Sequence, residues 1–211
     1  IQPGGEAVGV DIAESRIKHA RAFYGGKKGI AFEIKDIRLP IKDLGQFDFI
    51  WVRFVLEYYR EGAFDIIKNI NNNLKPGGCM CLLDLDHNCL CHWEMPRSME
   101  TILIKAMHHA QDHYNFDLYA GRKFYAHLYD LGFEDINVNL VPHHLIYGEL
   151  KSSDEFNWMK KLEVGALKAP KIFESYPGGS KKFLEDFRTF FKDPRRFTYS
   201  PLILCKGRKP L

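Results

Sequence analysis

Apolar positions along the first ninety residues follow two periods. Short runs of about five residues, continuous or alternating, suit strands, and stretches with apolar residues three and four apart suit amphipathic helices. Ala7–Asp11 (AVGVD) predicts a buried strand. Ser15–Tyr24 predicts a helix with Ile17, Ala20 and Tyr24 on one face, stopped by Gly25-Gly26. Ile30–Lys35 alternates through Ile30, Phe32 and Ile34, as a strand does. Leu39-Pro40 opens a loop that Gly45 closes, and Phe47–Val52 is a further buried run. Ala63–Leu74 predicts a helix with Phe64, Ile67, Ile70 and Leu74 turned inward. "LKPGG" (Leu74–Gly78) reads as a hard stop and tight turn before a strand over Cys79–Asp84. This alternation predicts an α/β fold with a doubly wound parallel sheet.

After residue 90 the pattern turns helical. Met95–Tyr114 predicts a long helix rich in Met and His, and Lys123–Leu131 a helix ending at Gly132. Ile136–Ile146 is extended. Ser152 and Glu155, three apart before an apolar-periodic run, predict a capping box. Lys181–Phe191 is a helix bounded by Gly178-Gly179 and Pro194, and Tyr199–Lys206 is a final strand. Residues 1–150 and 195–211 therefore form the expected α/β core, with 151–194 a helical insertion over the end of the sheet. The insertion carries Phe156, Trp158, Phe173, Tyr176, Phe183, Phe187, Phe190 and Phe191. These bury its own helices or a homodimer face, or they form a lid over an apolar acceptor. Trp93, Tyr114, Tyr119 and Tyr147 are further candidates for an acceptor pocket.

Composition narrows the function. The 211 residues suffice for one elaborated domain or two small ones, and 45% hydrophobic residues support a sizeable core. A formal charge of +3 gives no argument for nucleic acid or a membrane surface. No apolar run reaches the length of a membrane span. Five cysteines, an odd number, favour a reducing compartment and predict a cytoplasmic protein. Cys79, Cys81, Cys89, Cys91 and His92 form two C-x-C pairs with a histidine, a poor spacing for zinc. His109 and His113 stand four apart without the carboxylate of a metalloprotease helix, so no metal site is predicted.

In an open α/β sheet, ligands bind beyond the carboxyl ends of the strands. Those ends carry Asp11, Asp36-Ile37, Arg53, Asp84 and Asp86. An aspartate at a strand end before a helix suits the two hydroxyls of a ribose, and a carboxylate one strand over suits an adenine amine. The Ile37 amide could reach a ring nitrogen. Ordinary polar strand ends are the plainer reading of each residue alone; their joint placement suggests an adenosine site.

The successive segments "AVGVDIAESRIKHAR", "FEIKDIRLPI", "FDFIWVRFVLEYY" and "LKPGGCMCLLDLD" resemble the ordered motifs of class I S-adenosylmethionine-dependent methyltransferases, nearest to small-molecule enzymes of the ubiquinone/menaquinone-biosynthesis type. The resemblance implies a Rossmann-like sheet, S-adenosyl-L-methionine as cofactor and a small-molecule acceptor. By position it implies that Asp11 binds the ribose, with Ile12 beside it, and that Asp36 and Ile37 bind the adenine. Arg53 falls where the family sets a residue against the methionine moiety; pairing with Glu57 or Asp84 is the alternative. Glu57, Asp86 and His87 are the general-base candidates, should the acceptor require one. The family's glycine-rich first motif is absent: "IQPGGEAVGVD" resembles the turn after it. An N-terminal strand is therefore expected to be missing from between the strands of Ala7–Asp11 and Phe47–Val52. Two other classes stay open, a methyltransferase-like binding or regulatory module without activity and a nicotinamide-dinucleotide-binding protein.

Overall fold

The computed structural model describes residues 4–211; Ile1–Pro3, and with them the start of the "QPGGE" turn, lie outside the described residues. Apolar period and element type agree through the first half: β1 (Ala7–Asp11), α1 (Glu14–Tyr24), β2 (Ile30–Ile34), β3 (Phe47–Arg53), α2 (Ala63–Asn71) and β4 (Leu74–Leu85). The second half runs β5 (His92–Trp93), α3 (Arg97–Tyr114), α4 (Ala120–Asp130), β6 (Glu134–Ile146), α5 (Ser152–Lys168), α6 (Pro170–Glu174), α7 (Gly179–Lys192) and β7 (Phe197–Arg208).

Two sheets result. β1 pairs parallel with β2, setting Asp11 opposite Ile34. β3 pairs parallel with β4, while β7 runs antiparallel to β4, β5 and β6. Among the described residues no further strand bonds the free edge of β1 or of β3. The chain between β2 and β3 ties the smaller unit to the larger one. Asn69 Nδ2 donates to the carbonyls of Ile37 (2.9 Å) and Leu39 (2.6 Å), and Asn73 Nδ2 to those of Ile41 (3.0 Å) and Gly45 (2.7 Å).

Local chemistry moves several boundaries. α2 stops at Asn71 rather than Leu74, because Asn73 is committed to that loop and Leu74 already pairs with Phe47. Its buried residues are Ala63, Ile66, Ile67 and Ile70, while Phe64 rests against the His127 ring at 5.6 Å. "LKPGG" is not a separate turn but the irregular start of β4, where the register slips between Phe47↔Leu74 and Phe49↔Cys79. Gly77 takes a φ of 73° there, which favours glycine, and its N–H donates to Lys209 O. The expected capping box does not form: Lys151 is the N-cap, without a side-chain bond. Glu155 turns instead to Arg188 (3.5 Å) and Lys192 (3.2 Å) on α7, linking two helices of the insertion.

Two apolar cores follow. In one, α2 and α4 cover the main sheet with Leu56, Ile67, Leu74, Met80, Leu82, Phe124 and Cys205. Gly121 brings α4 close to the sheet, since a Cβ there would stand 2.9 Å from Asp84 O and from Ile203. In the other, α3 and α5–α7 bury Met99, Ile102, Trp158, Phe173, Phe183, Phe187 and Phe191. Most aromatic residues of the insertion thus pack its own helices, though Phe156 stays 62% exposed. The imidazole of His92 bolts this core to the sheet. It packs edge-on to Trp158, Phe187 and Phe190, donates from Nε2 to Cys89 O (3.1 Å), and accepts at Nδ1 from the Thr198 hydroxyl (2.8 Å). Burial pushes its pKa down to about 4, so it stays neutral. Among the described residues no helix is long and apolar enough to cross a membrane.

Candidate functional site

The carboxyl end of β1 presents Asp11 as a local acceptor. Its Oδ1 takes the Ala13 N–H at 2.8 Å, which holds the carboxylate beside the start of α1, and its Oδ2 meets Arg16 at 3.3 Å. Ile12 between them is 54% exposed. At the end of β2, Asp36 accepts the Arg38 N–H (3.0 Å) and a two-pronged guanidinium contact through Nε (2.9 Å) and Nη2 (2.6 Å). That contact holds the Asp36 carboxyl below the usual carboxylate range. Ile37 packs its side chain against the main core.

Arg53, at the end of β3, forms no ion pair with Glu57 or Asp84 among the described residues; its guanidinium lies over the Phe54 ring at 4.6 Å. The next turn, a short 3-10 helix over Leu56–Tyr58, carries Glu57 inward to 6% exposure. Its backbone N–H donates to Asp84 Oδ2 at 3.0 Å, and Leu85 N–H donates to Asp84 Oδ1 at 3.0 Å. Asp84 therefore shapes the turn that carries Glu57. Burial, and then the neighbouring Glu57 charge, push its pKa up to about 7. Burial also raises that of Glu57. Tyr58 turns its hydroxyl toward Glu57; burial and then that carboxylate push the phenol up to about 12.

The other two base candidates sit differently. Asp86 is clamped by Arg122 through Nε (2.7 Å) and Nη2 (2.8 Å). His87 takes a φ of 53° and packs on the Tyr119 ring at 5.4 Å. Both line an open cavity of about 520 Å³ whose other walls include Cys91, Trp93, Phe197 and Tyr199.

Residues that no sequence motif singles out complete the arrangement. Asn88, 7% exposed, donates from Nδ2 to Glu57 Oε2 at 3.2 Å. Its Oδ1 accepts from Lys161 Nζ at 3.4 Å and from the Cys89 thiol at 3.3 Å. His143 and His144 stack at 4.0 Å where β6 loses register with β7, and His143 lies 5.5 Å from Phe54. Desolvation, then His144, Arg53 and Lys161, push His143 down to about 4. The paired histidines after Pro142 were the available signal, and only the strand pairing shows which strand end they face.

Residues 2–82 match the family model described as a methyltransferase domain. No curated protein matches the chain in sequence. Among solved structures it resembles an assigned methyltransferase from Bacillus halodurans C-125, at 19% identity, 98% of this chain, 84% of that one and a TM-score of 0.59. Haemonchus contortus phosphoethanolamine N-methyltransferase 2, solved with phosphomonomethylethanolamine and S-adenosylhomocysteine, aligns at 14% identity over 99% of this chain and 44% of its own, with a TM-score of 0.51. The [4+2]-cyclase SpnF aligns at 15% identity over 98% of this chain and 67% of its own, with a TM-score of 0.50. At these identities the likeness is one of fold, and the same fold carries a cyclase, so the reaction has to be argued from the site.

Proposed function

We propose that the protein transfers a methyl group from S-adenosyl-L-methionine to a small-molecule acceptor. The observation that carries this reading is the pair of aspartates at the ends of the adjacent parallel strands β1 and β2, inside the segment that matches the methyltransferase family model. Their chemistry fits the adenosine half of the cofactor. Asp11 offers acceptors for two vicinal hydroxyls, and Asp36 an acceptor for the adenine amine beside the Ile37 amide. Arg53, with no carboxylate partner among the described residues, is available to a carboxylate ligand such as the methionine end. When bound, the cofactor supplies an activated methyl on a sulfonium, so the protein's part is alignment, exclusion of water and, for an acceptor that must lose a proton, a base. Glu57 serves that last role best. Burial raises its proton affinity, whereas Asp86 is occupied by Arg122. The open cavity beside His87, with Trp93, Phe197 and Tyr199, is the approach for the acceptor.

Calorimetric titration of S-adenosylhomocysteine tests the reading. The protein is expected to bind it, NAD is expected not to compete, and Asp11→Ala is expected to weaken binding about tenfold or more. Indifference of Asp11→Ala would overturn the assignment. A second reading is a binding module of the same fold without turnover. Ligand binding without methyl transfer to any of a panel of amines, phenols and acidic carbon compounds would favour it.

A further inference from the structure

The insertion does more than bury its own aromatic residues. α5 turns Lys161 out of the helical core toward the strand ends, with its ammonium 5.0 Å from the centre of the Trp158 ring and 3.4 Å from Asn88 Oδ1. A side-chain amide has one accepting and one donating end. With Lys161 and the Cys89 thiol both donating to Oδ1, Asn88 has to present its NH₂ to Glu57, and it does so at 3.2 Å. The carboxylate, the amide and the ammonium come from the turn after β3, the loop after β4 and the middle of α5, so three separate segments meet in one chain of donors and acceptors.

We propose that Lys161 is a positioning residue for the acceptor side: through Asn88 it orients Glu57 and supplies the positive charge that keeps Glu57 able to accept a proton. This deepens the methyl-transfer reading and rests on it for the role of Glu57. The groups that face Glu57 leave that task to Lys161. Asp84 on β4 is a neighbouring carboxyl of like sign, the buried Cys89 thiol is held neutral, and Tyr58 on its own turn is a phenol that brings no positive charge. Asp117, whose N–H meets Glu57 O, is already paired with Lys123 at 2.5 Å. His143, which also lies within reach of Lys161, stays neutral near pH 7.

The test follows the Glu57 carboxyl by ¹³C resonance through a pH titration of the wild type, Lys161→Met and Lys161→Arg, with the pH dependence of kcat/KM measured beside it. Methionine keeps an unbranched apolar stem of similar length and a good helix propensity, so the helix is expected to stay folded. The Glu57 midpoint is expected to rise by about half a pH unit or more in Lys161→Met, to return toward the wild type in Lys161→Arg, and to carry the acid limb of kcat/KM with it. In the wild type, the Asn88 side-chain amide signals are expected to titrate with the same midpoint, a readout that needs no variant. An unmoved Glu57 midpoint in folded Lys161→Met, or Asn88 signals blind to that titration, would overturn the proposal. A moved midpoint in a protein that transfers no methyl group would uphold the role of Lys161 and sink the methyl-transfer reading instead.

Discussion

The two sides of the candidate site are built in opposite ways. On the cofactor side, Asp11 and Asp36 meet partners two to five residues away in exposed turns. They belong to a small unit in which Ile17 is the buried residue of α1. On the acceptor side, Glu57, Asp84, Asn88 and Lys161 are drawn from segments up to 104 positions apart and set between two aromatic and aliphatic cores. A site whose chemistry is local tolerates a thin scaffold, whereas a buried network of charges requires a dense one to hold each partner in place. The difference predicts that the acceptor side responds to packing and pH, and the cofactor side to ligand.

Packing carries the greatest change in stability. Phe187 is fully buried and stacks with Trp158, Phe183 and Phe191. Phe187→Ala should destabilise the molecule by about 3–5 kcal/mol, read as a lower denaturant midpoint. Native-state hydrogen exchange should show β1 and β2 opening well before β4 and β7, because two strands with one buried helical residue open locally. Uniform exchange across both sheets would erase the contrast between a thin and a dense scaffold.

The pH effects are next in size, and the two buried anchors predict opposite signs. Asp84 has a folded pKa of about 7, far above the 3.8 of an ordinary aspartate. The folded state therefore holds its proton longer, and stability present below pH 4 is lost as pH rises toward 7, by about 1.4 kcal/mol at most for each pH unit crossed. Asp84→Asn should flatten that loss in denaturant unfolding at pH 5 and pH 8. His92 has a folded pKa of about 4 against the ordinary 6.5. Its contribution is complete above pH 6.5 and is lost as pH falls toward 4. Helical signal from the insertion should fade across that acid range in the wild type and fade less in His92→Gln. Between pH 4 and 6.5 the two slopes oppose each other and nearly cancel, so wild-type stability should change little across that range, and each slope should show only in the variant that removes the other.

How much of this the sequence disclosed follows from the same contrast. The position of Asp11 and Asp36 at strand ends is legible because a strand end is a sequence-local feature: the apolar run stops and an acid follows. The expected elements of the main sheet likewise appear within a few residues, since periodicity reports which face is buried. What periodicity does not report is who competes for a residue. Asn73 and Leu74 left α2 for the loop and for β4, and Glu155 left its helix start for Arg188 and Lys192. Arg53 was expected either on the cofactor or on Glu57 or Asp84, and it lies on Phe54. Lys161 and Asn88 carry no motif at all. Their meaning lies in a contact across 73 positions, which tertiary packing alone creates.

The variant with the least effect on stability divides the two sides most cleanly. Asp36 is a half-buried carboxylate whose exposed partner Arg38 is two residues away, so Asp36→Asn should change the unfolding midpoint little. The same change removes the charge that suits an adenine amine, so affinity for S-adenosylhomocysteine should fall by about tenfold. Glu57→Gln should show the reverse. It keeps the shape, removes a buried charge beside Asp84 and raises stability at pH 8, while affinity for the same ligand stays within about twofold. The two variants thus separate ligand from scaffold. If Asp36→Asn lowered stability and Glu57→Gln abolished ligand binding, the division into a local cofactor side and a packed acceptor side would have the wrong residues on each.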